Sequence, residues 1–535
     1  MVEKLKVFVK RLENSRISFC GFLITFLSVV FLRNFLETFS DRDNFWTPVS
    51  SPAYFIHYPL FYLSLLLGLA ILLHWLTREK IVRVTKIVLF FFPLILLAPT
   101  CDLLLSGGEG YNMSYLFGDL PYLIKRFVTF FWGYSGKGVT PGMQIEMVTA
   151  LSLVGGYVFL KTGKVGPAIG GIIASYSVGF VMGSLPSVMA ILWNLAGSAI
   201  EPQELFAADV VLYHFYSFNH KMALVFLPIV IGELGLWFWL YNKRASWALV
   251  GNLRGLRVLH YVCMLGFGMI LGYARLRPVA LFDSPFPVLI VITSVFSGVL
   301  AWWYAVGLND LHDLKTDRIA NRHRPLASGT VNDEEQRAVN LTFLLFSLVS
   351  AYLVRYPFFV PILLTVGLSY IYSAPPFRLK RVPFLATFII ALCSGLVCLG
   401  GFALFSDNYS YSGFPPRVLL AILVGVTIAF TVKDIKDLNG DRVTGTVTLP
   451  ILLGEKMGKR VIGILALLGY LSVPLIFECF MLLPLAILFG ILTCVLINRA
   501  RMRETPVFMS YFLFLGILLY SLSNEIQNGS GHLFG

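Results

Sequence analysis

The chain is poor in charge, poor in cysteine and free of short-period repeats, and each shortage excludes something. Only 13% of its 535 residues are charged and only 29 are acidic, too few to coat a soluble protein of this length. The seven cysteines (20, 101, 263, 393, 398, 479 and 494) lie mostly inside apolar runs and form no CxxC pair. They read as packing residues, which leaves neither a disulfide framework nor a thiolate zinc site. No low-complexity tract stands out. No A-x-A cleavage site follows the basic, amphipathic residues 1–16, so the first apolar run is expected to stay as a span. A net charge of +13 would suggest nucleic acid in a soluble chain. Here it is assigned to Lys and Arg in cytoplasmic loops.

What is abundant is apolar sequence. With 57% hydrophobic residues and a mean hydropathy of +0.77, the chain reads as an all-α polytopic membrane protein. Six spans are expected in the first part, at about 17–36, 52–76, 85–100, 144–161, 166–195 and 213–241. The fifth carries Gly183 and Pro186 and is expected to kink or break. Asn242 to Arg257 is a short basic linker, which sets a boundary at 1–245 and 246–535. Nine further spans follow, near 257–275, 286–308, 338–355, 357–372, 383–404, 416–433, 460–476, 479–497 and 506–523. Basic loops at 77–86, 161–164 and 241–244 place the N-terminus in the cytoplasm.

Two polar stretches interrupt this pattern. Asn309 to Gly329 reads NDLHDLKTDRIANRHRPLASG, with Asp310, Asp313 and Asp317 at i, i+3 and i+7, one face of a helix. Lys433 to Asp441 reads KDIKDLNGD and repeats the spacing with Asp434, Asp437 and Asp441. Each follows an apolar run. Stacked carboxylates repel one another unless a cation sits between them, and oxygen donors without Cys or a placed His favour Mg²⁺ over Ca²⁺ or Mn²⁺. Counted from Lys and Arg alone, the topology gathers both stretches and the YSAPPFRLKR loop (Tyr372 to Arg381) on the cytoplasmic face.

The first stretch resembles the NDxxDxxxD motif of the UbiA superfamily of intramembrane prenyltransferases, and the second its DxxxD or DxxDxxxD motif. The tails NRHRPLASG and GDRVTGTVTLPILLG and the loop YSAPPFRLKR are similar to that family as well. The resemblance covers about 251–523 and implies a bundle of about nine helices, here preceded by about six extra spans. It implies Mg²⁺-dependent transfer of a prenyl group from a prenyl diphosphate to an aromatic or lipid acceptor. Asp310, Asp313, Asp317, Asp434, Asp437 and Asp441 would then serve catalysis as metal ligands. Asn309, Arg318, Arg322, Arg324, Tyr372, Arg378, Lys380 and Lys433 would bind substrate. Lys315 and Arg381 add charge near the same face. The expected setting is a multi-pass protein of a prokaryotic plasma membrane with its active face cytoplasmic, in contact with membrane lipid and not with nucleic acid.

Two other functions fit parts of the pattern. Fifteen spans would suit a lipid or isoprenoid transporter or flippase. NRHRPLASG is also similar to members that move phosphoribose to a polyprenyl phosphate. A soluble all-helical isoprenoid synthase is excluded by the hydropathy. In the first part, Glu146, Lys221 and Glu233 lie in or near apolar runs, and Glu233 at mid-span is a functional candidate by default.

Overall fold

The computed structural model describes residues 2–40, 51–132, 138–276, 281–405, 410–436, 438, 447–500 and 502–527. Fifteen helices among these are long and apolar enough to cross a bilayer, matching the expected number. The chain is an integral, multi-pass, all-α membrane protein, and among the described residues the only sheet is a two-stranded one. The chain folds as two compact units. One comprises residues 1–211, 215–243 and 282–289, and the other 212–214, 244–281 and 290–535.

The first unit holds α1 (Phe19–Phe39), α2 (Tyr54–Thr77), α3 (Ile81–Leu105), α4 (Pro141–Thr162), α5 (Val165–Gly183) and α6 (Phe218–Tyr241). The run expected at 166–195 breaks at Ser184, and Leu185–Asn194 forms a separate helix with Pro186 in its first turn. The sixth span starts later than expected because His214–Tyr216 pairs as a strand with Asp209–Val211. Inside this unit, several polar side chains pair with one another. Arg33 and Glu37 pair at 2.5 Å, and Asp102 accepts from the Thr140 hydroxyl at 2.5 Å and the Gly142 N–H at 2.7 Å. Glu146 Oε2 accepts the Ala98 N–H at 3.2 Å. Lys221 donates to the carbonyls of Leu205 and Ala207 and pairs with Asp209 at 2.9 Å. Glu233 keeps one buried carboxyl oxygen, Oε2, with no hydrogen-bond partner.

The second unit holds α7 (Gly255–Ala274), α8 (Pro285–His312) from Ile290 on, α9 (Asp333–Val354), α10 (Tyr356–Ser373), α11 (Leu385–Ala403), α12 (Pro416–Ile435), α13 (Glu455–Ile476), α14 (Phe480–Ile497) and α15 (Glu504–Leu522). The stretch 242–257 is itself partly helical, at Lys243–Gly251. Small residues let backbones touch. A Cβ on Gly268 of α7 would lie 1.8 Å from the Cys398 carbonyl of α11, and one on Gly401 would lie 2.1 Å from the Leu265 carbonyl. Ser297 and Ser347 donate to each other's carbonyls at 2.9 Å across α8 and α9. A capping box starts α9, where Asn332 accepts from the Glu335 N–H at 2.8 Å and Glu335 from the Asn332 N–H at 2.9 Å.

Candidate active site

The helix carrying the first Asp stretch does not run straight through it. It ends at His312, Asp313 adopts a non-helical backbone, and a short helix Leu314–Ala320 follows. Hydrogen bonds continue across the break, from Asp313 N to Asn309 O and from Asp317 N to Asp313 O, both 2.9 Å. The bend separates the carboxylates. Asn309, Asp313 and Asp317 line a cavity of about 680 Å³ in the second unit. Asp310 is not among the lining residues. Its carboxylate accepts from Asn252 at 2.6 Å, Arg254 at 3.0 Å and Arg324 at 3.3 Å.

Cations converge on the carboxylates that face the cavity. Lys380 Nζ donates to Asp313 Oδ2 at 2.5 Å and to Asn309 Oδ1 at 2.8 Å, and Arg378 donates to Asp313 Oδ1 at 3.0 Å. Arg324 bonds Asp317 at 2.5 Å, and Asn321 adds a bond of 3.0 Å. Burial pushes the Lys380 ammonium below the usual lysine range although Asp313 lies beside it. Burial likewise raises the Asp317 carboxyl against the opposing pull of Arg324. The Lys380 and Asp317 side chains are 13% and 4% exposed, so the site is partly withdrawn from water and charge interacts strongly there.

From the second Asp stretch, Lys433 and Asp434 line the same cavity, 3.9 Å apart, and Lys433 Nζ donates to the Tyr372 hydroxyl at 3.0 Å. Asp437 and Asp441 lie outside the described residues. Arg324, Tyr372, Arg378, Lys380 and Arg381 also line the cavity. Lys315, Arg318 and Arg322 do not; all three are exposed, whereas Asp317 is buried. Asn252 and Arg254 escaped the sequence reading, because a basic linker looks the same whether or not it reaches a carboxylate. So did His260, which lines the cavity and bonds the Tyr511 hydroxyl and Ser394 Oγ, both at 2.9 Å. A lone His in an apolar run carries no signal of its partners.

Among the described residues, no three His, Cys, Asp or Glu side chains cluster as a metal site. The oxygens present still suit a hard cation. Asn309 Oδ1 and Asp313 Oδ2 already converge on one positive group, the Lys380 ammonium. Magnesium takes one or two carboxylates and fills its remaining positions with water and substrate phosphate.

The chain is similar over part of its length to known membrane transferases. The UbiA prenyltransferase family matches residues 276–516. A digeranylgeranylglyceryl phosphate synthase of Saccharolobus solfataricus is 28% identical over 197 residues, 35% of this chain and 65% of that one. A homogentisate phytyltransferase of Synechocystis sp. is 30% identical over 279 residues, 47% of this chain and 88% of that one. Chloroplastic chlorophyll synthase of rice, Oryza sativa, is 32% identical over 180 residues, 32% of this chain and 46% of that one. The solved structure of a UbiA homolog from Archaeoglobus fulgidus bound to GPP and Mg2+ has 17% identity and a TM-score of 0.41, with 52% of this chain and 99% of that chain covered. Shared sequence across most of the phytyltransferase, together with the match at 276–516, makes this chain a member of the UbiA prenyltransferase family.

Proposed function

We propose that the second unit transfers a prenyl group from a prenyl diphosphate to an aromatic or lipid acceptor, in the membrane and with Mg²⁺. The observation that carries this reading is one cavity with two ends of different chemistry. Asn309, Asp313, Asp434, Lys380 and Arg378 line its polar end, and apolar side chains of α7, α12, α13 and α15 line the rest. That division matches an amphiphile with a charged head and a hydrocarbon tail.

Asn309, Asp313 and Asp434, with Asp317, Asp437 and Asp441 as further candidates, would hold Mg²⁺. Bound there, the ion supplies positive charge to the diphosphate as its negative charge grows. Lys380, Arg378 and Lys433 hold the phosphate oxygens, Arg through its planar fork and Lys as a point charge. Lys380 bridges Asn309 and Asp313, which places a positive charge where the head group would bind. The allylic C–O bond then breaks, the diphosphate leaves with the electron pair, and the acceptor forms the new bond and releases a proton. Tyr372 holds Lys433, whose ammonium lies 5.4 Å from the centre of its ring and bonds its hydroxyl, so the pair presents positive charge at the polar end. Water is excluded by the apolar walls, which protects the allylic cation from hydrolysis. Asp310 acts as a positioning residue through Arg254 and Arg324.

By the excess of Lys and Arg in loops, the polar end faces the cytoplasm, and the setting is a prokaryotic plasma membrane. The test is prenyl transfer by the purified full chain with a panel of aromatic and lipid acceptors. Activity should require Mg²⁺ or Mn²⁺ and vanish in EDTA. Full turnover in metal-free buffer would overturn the mechanism. Movement of labelled lipid across vesicles without any transfer would favour a transporter instead.

A further inference from the structure

We infer that Tyr511 and His260 form a proton relay in the cavity wall, with Tyr511 taking the proton of an acceptor that carries an ionisable hydroxyl. The inference rests on the reading that prenyl transfer takes place in this cavity.

Both residues face the cavity by helical periodicity. On α15 the lining recurs at Val507, Tyr511, Phe514 and Leu518, and on α7 at Arg257, His260, Met264 and Phe267. His260 is 2% exposed and joins three helices. Its Nδ1 lies 2.9 Å from the Tyr511 hydroxyl of α15, and its Nε2 lies 2.9 Å from Ser394 Oγ of α11. The Phe430 ring of α12 packs 5.0 Å from the imidazole, and Tyr261 packs 5.1 Å from it.

These hydrogen bonds have a direction. Ser394 has one hydroxyl hydrogen and donates it at 2.8 Å to the Ile390 carbonyl, an atom that can only accept. Ser394 Oγ therefore accepts from the His260 Nε2–H, which leaves the lone pair of the neutral imidazole on Nδ1. Nδ1 in turn accepts the Tyr511 O–H. Tyr511 commits its hydrogen to His260, and among the described residues no donor bonds its oxygen. A hydrogen-bond acceptor thus stands among Val507, Phe508 and Phe514 on a wall that is otherwise apolar there. A hydrocarbon tail has no use for that oxygen, whereas an acceptor hydroxyl does.

In the reaction the C–O bond to the diphosphate breaks, its electron pair leaves with the diphosphate, and the allylic carbon bonds to the acceptor. The hydroxyl proton of the acceptor passes to Tyr511 Oη as the Tyr511 proton passes to His260 Nδ1. The positive charge of the allylic carbon ends on the imidazolium, so a neutral base suffices. The imidazolium gives its proton to water when the products leave. Arg257 and Glu504, paired at 2.8 Å, stand one and two turns nearer the polar end on the same two helices.

The experiment measures transfer by the full chain, in detergent with Mg²⁺, from geranyl diphosphate to a long-chain alcohol and to phenols graded in acidity. His260→Gln offers a carbonyl to Tyr511 and an amide N–H to Ser394, so it can keep both bonds but cannot take up a proton. It should melt with the wild type and bind the donor equally well, while kcat for the alcohol and the weakly acidic phenols falls about 10²–10⁴-fold. The loss should shrink for the most acidic phenols, which arrive already ionised. Tyr511→Phe keeps the ring and should lose kcat in the same pattern. Nitrogen-15 spectra of histidine-labelled protein, with the His260 signal identified by its absence in His260→Gln, should show the proton on Nε2. A proton on Nδ1, a His260→Gln enzyme as fast as wild type, or a loss equal for all phenols overturns the relay and leaves prenyl transfer standing. Wild-type protein that transfers to none of these acceptors overturns both.

Discussion

Asp310 and Asp313 stand one helical turn apart, yet they answer to different neighbours. Asp310 is 2% exposed and gathers Asn252, Arg254 and Arg324, whereas the Asp313 side chain is 19% exposed and faces the cavity with Lys380 and Arg378. A buried ion pair that loses one partner leaves an uncompensated charge. Asp310→Ala should therefore destabilise the chain by on the order of 3 kcal/mol. Asp313→Ala should lose less stability, because water reaches its two cations, but lower kcat by about 10²–10³ if it supports the departing diphosphate. Thermal unfolding and transfer assays on the two variants check this. Equal loss of stability with an unimpaired Asp313→Ala enzyme would contradict the division. The spacing of these residues was legible in the sequence, since i, i+3 and i+7 is a local property. The break at Asp313 was not, and neither was the pairing of Asp310 with Arg254 and Arg324, whose positions the fold supplies.

At the scale of elements, packing of α7 on α11 sets the wall of the cavity. Gly268 and Gly401 each face a carbonyl of the other helix at a distance no Cβ could occupy. Gly268→Ala forces these helices apart, and overpacking of this kind costs about 1–3 kcal/mol. Gly266, two residues away on α7, has nothing within 4 Å of its Cβ position. Gly266→Ala should be neutral or stabilising by up to about 1 kcal/mol, since alanine loses less backbone entropy in a helix. Comparison of melting temperatures distinguishes them, and similar melting for both variants would refute the close approach. The existence and number of spanning helices followed from length and hydropathy, which persist in any environment. The break at Ser184 was foreshadowed by Gly183 and Pro186. The strand pair at 209–216 was not, because its second strand, His214–Tyr216, passes for the start of the span that follows.

At the scale of the whole chain, the question is which unit carries the chemistry. The family match falls at residues 276–516, all but 282–289 of it in the second unit, and the residues that line the cavity, from Gly251 to Leu518, all belong to that unit. The first unit contains buried ionisable groups of its own, but nearly all of those named above have partners: Arg33 has Glu37, Asp102 has Thr140, and Lys221 has Asp209. Glu233 differs, with one buried oxygen unsatisfied. A carboxyl left partly unsatisfied inside a span destabilises its unit or serves a purpose there, and hydropathy alone could mark the residue without saying which. Glu233 is not among the residues that line the cavity. Glu233→Gln keeps the shape and removes the charge, so prenyl transfer by the full chain should stay within about twofold of wild type, the size of ordinary surface effects on stability rather than of a lost catalytic contact. Stability can shift in either direction, because the amide has its own donors to satisfy. The decisive comparison is the transfer rate of Glu233→Gln against that of Asp313→Ala, measured at equal folded concentration. If both fall together, the first unit takes part in the reaction, and catalysis belongs to the chain as a whole.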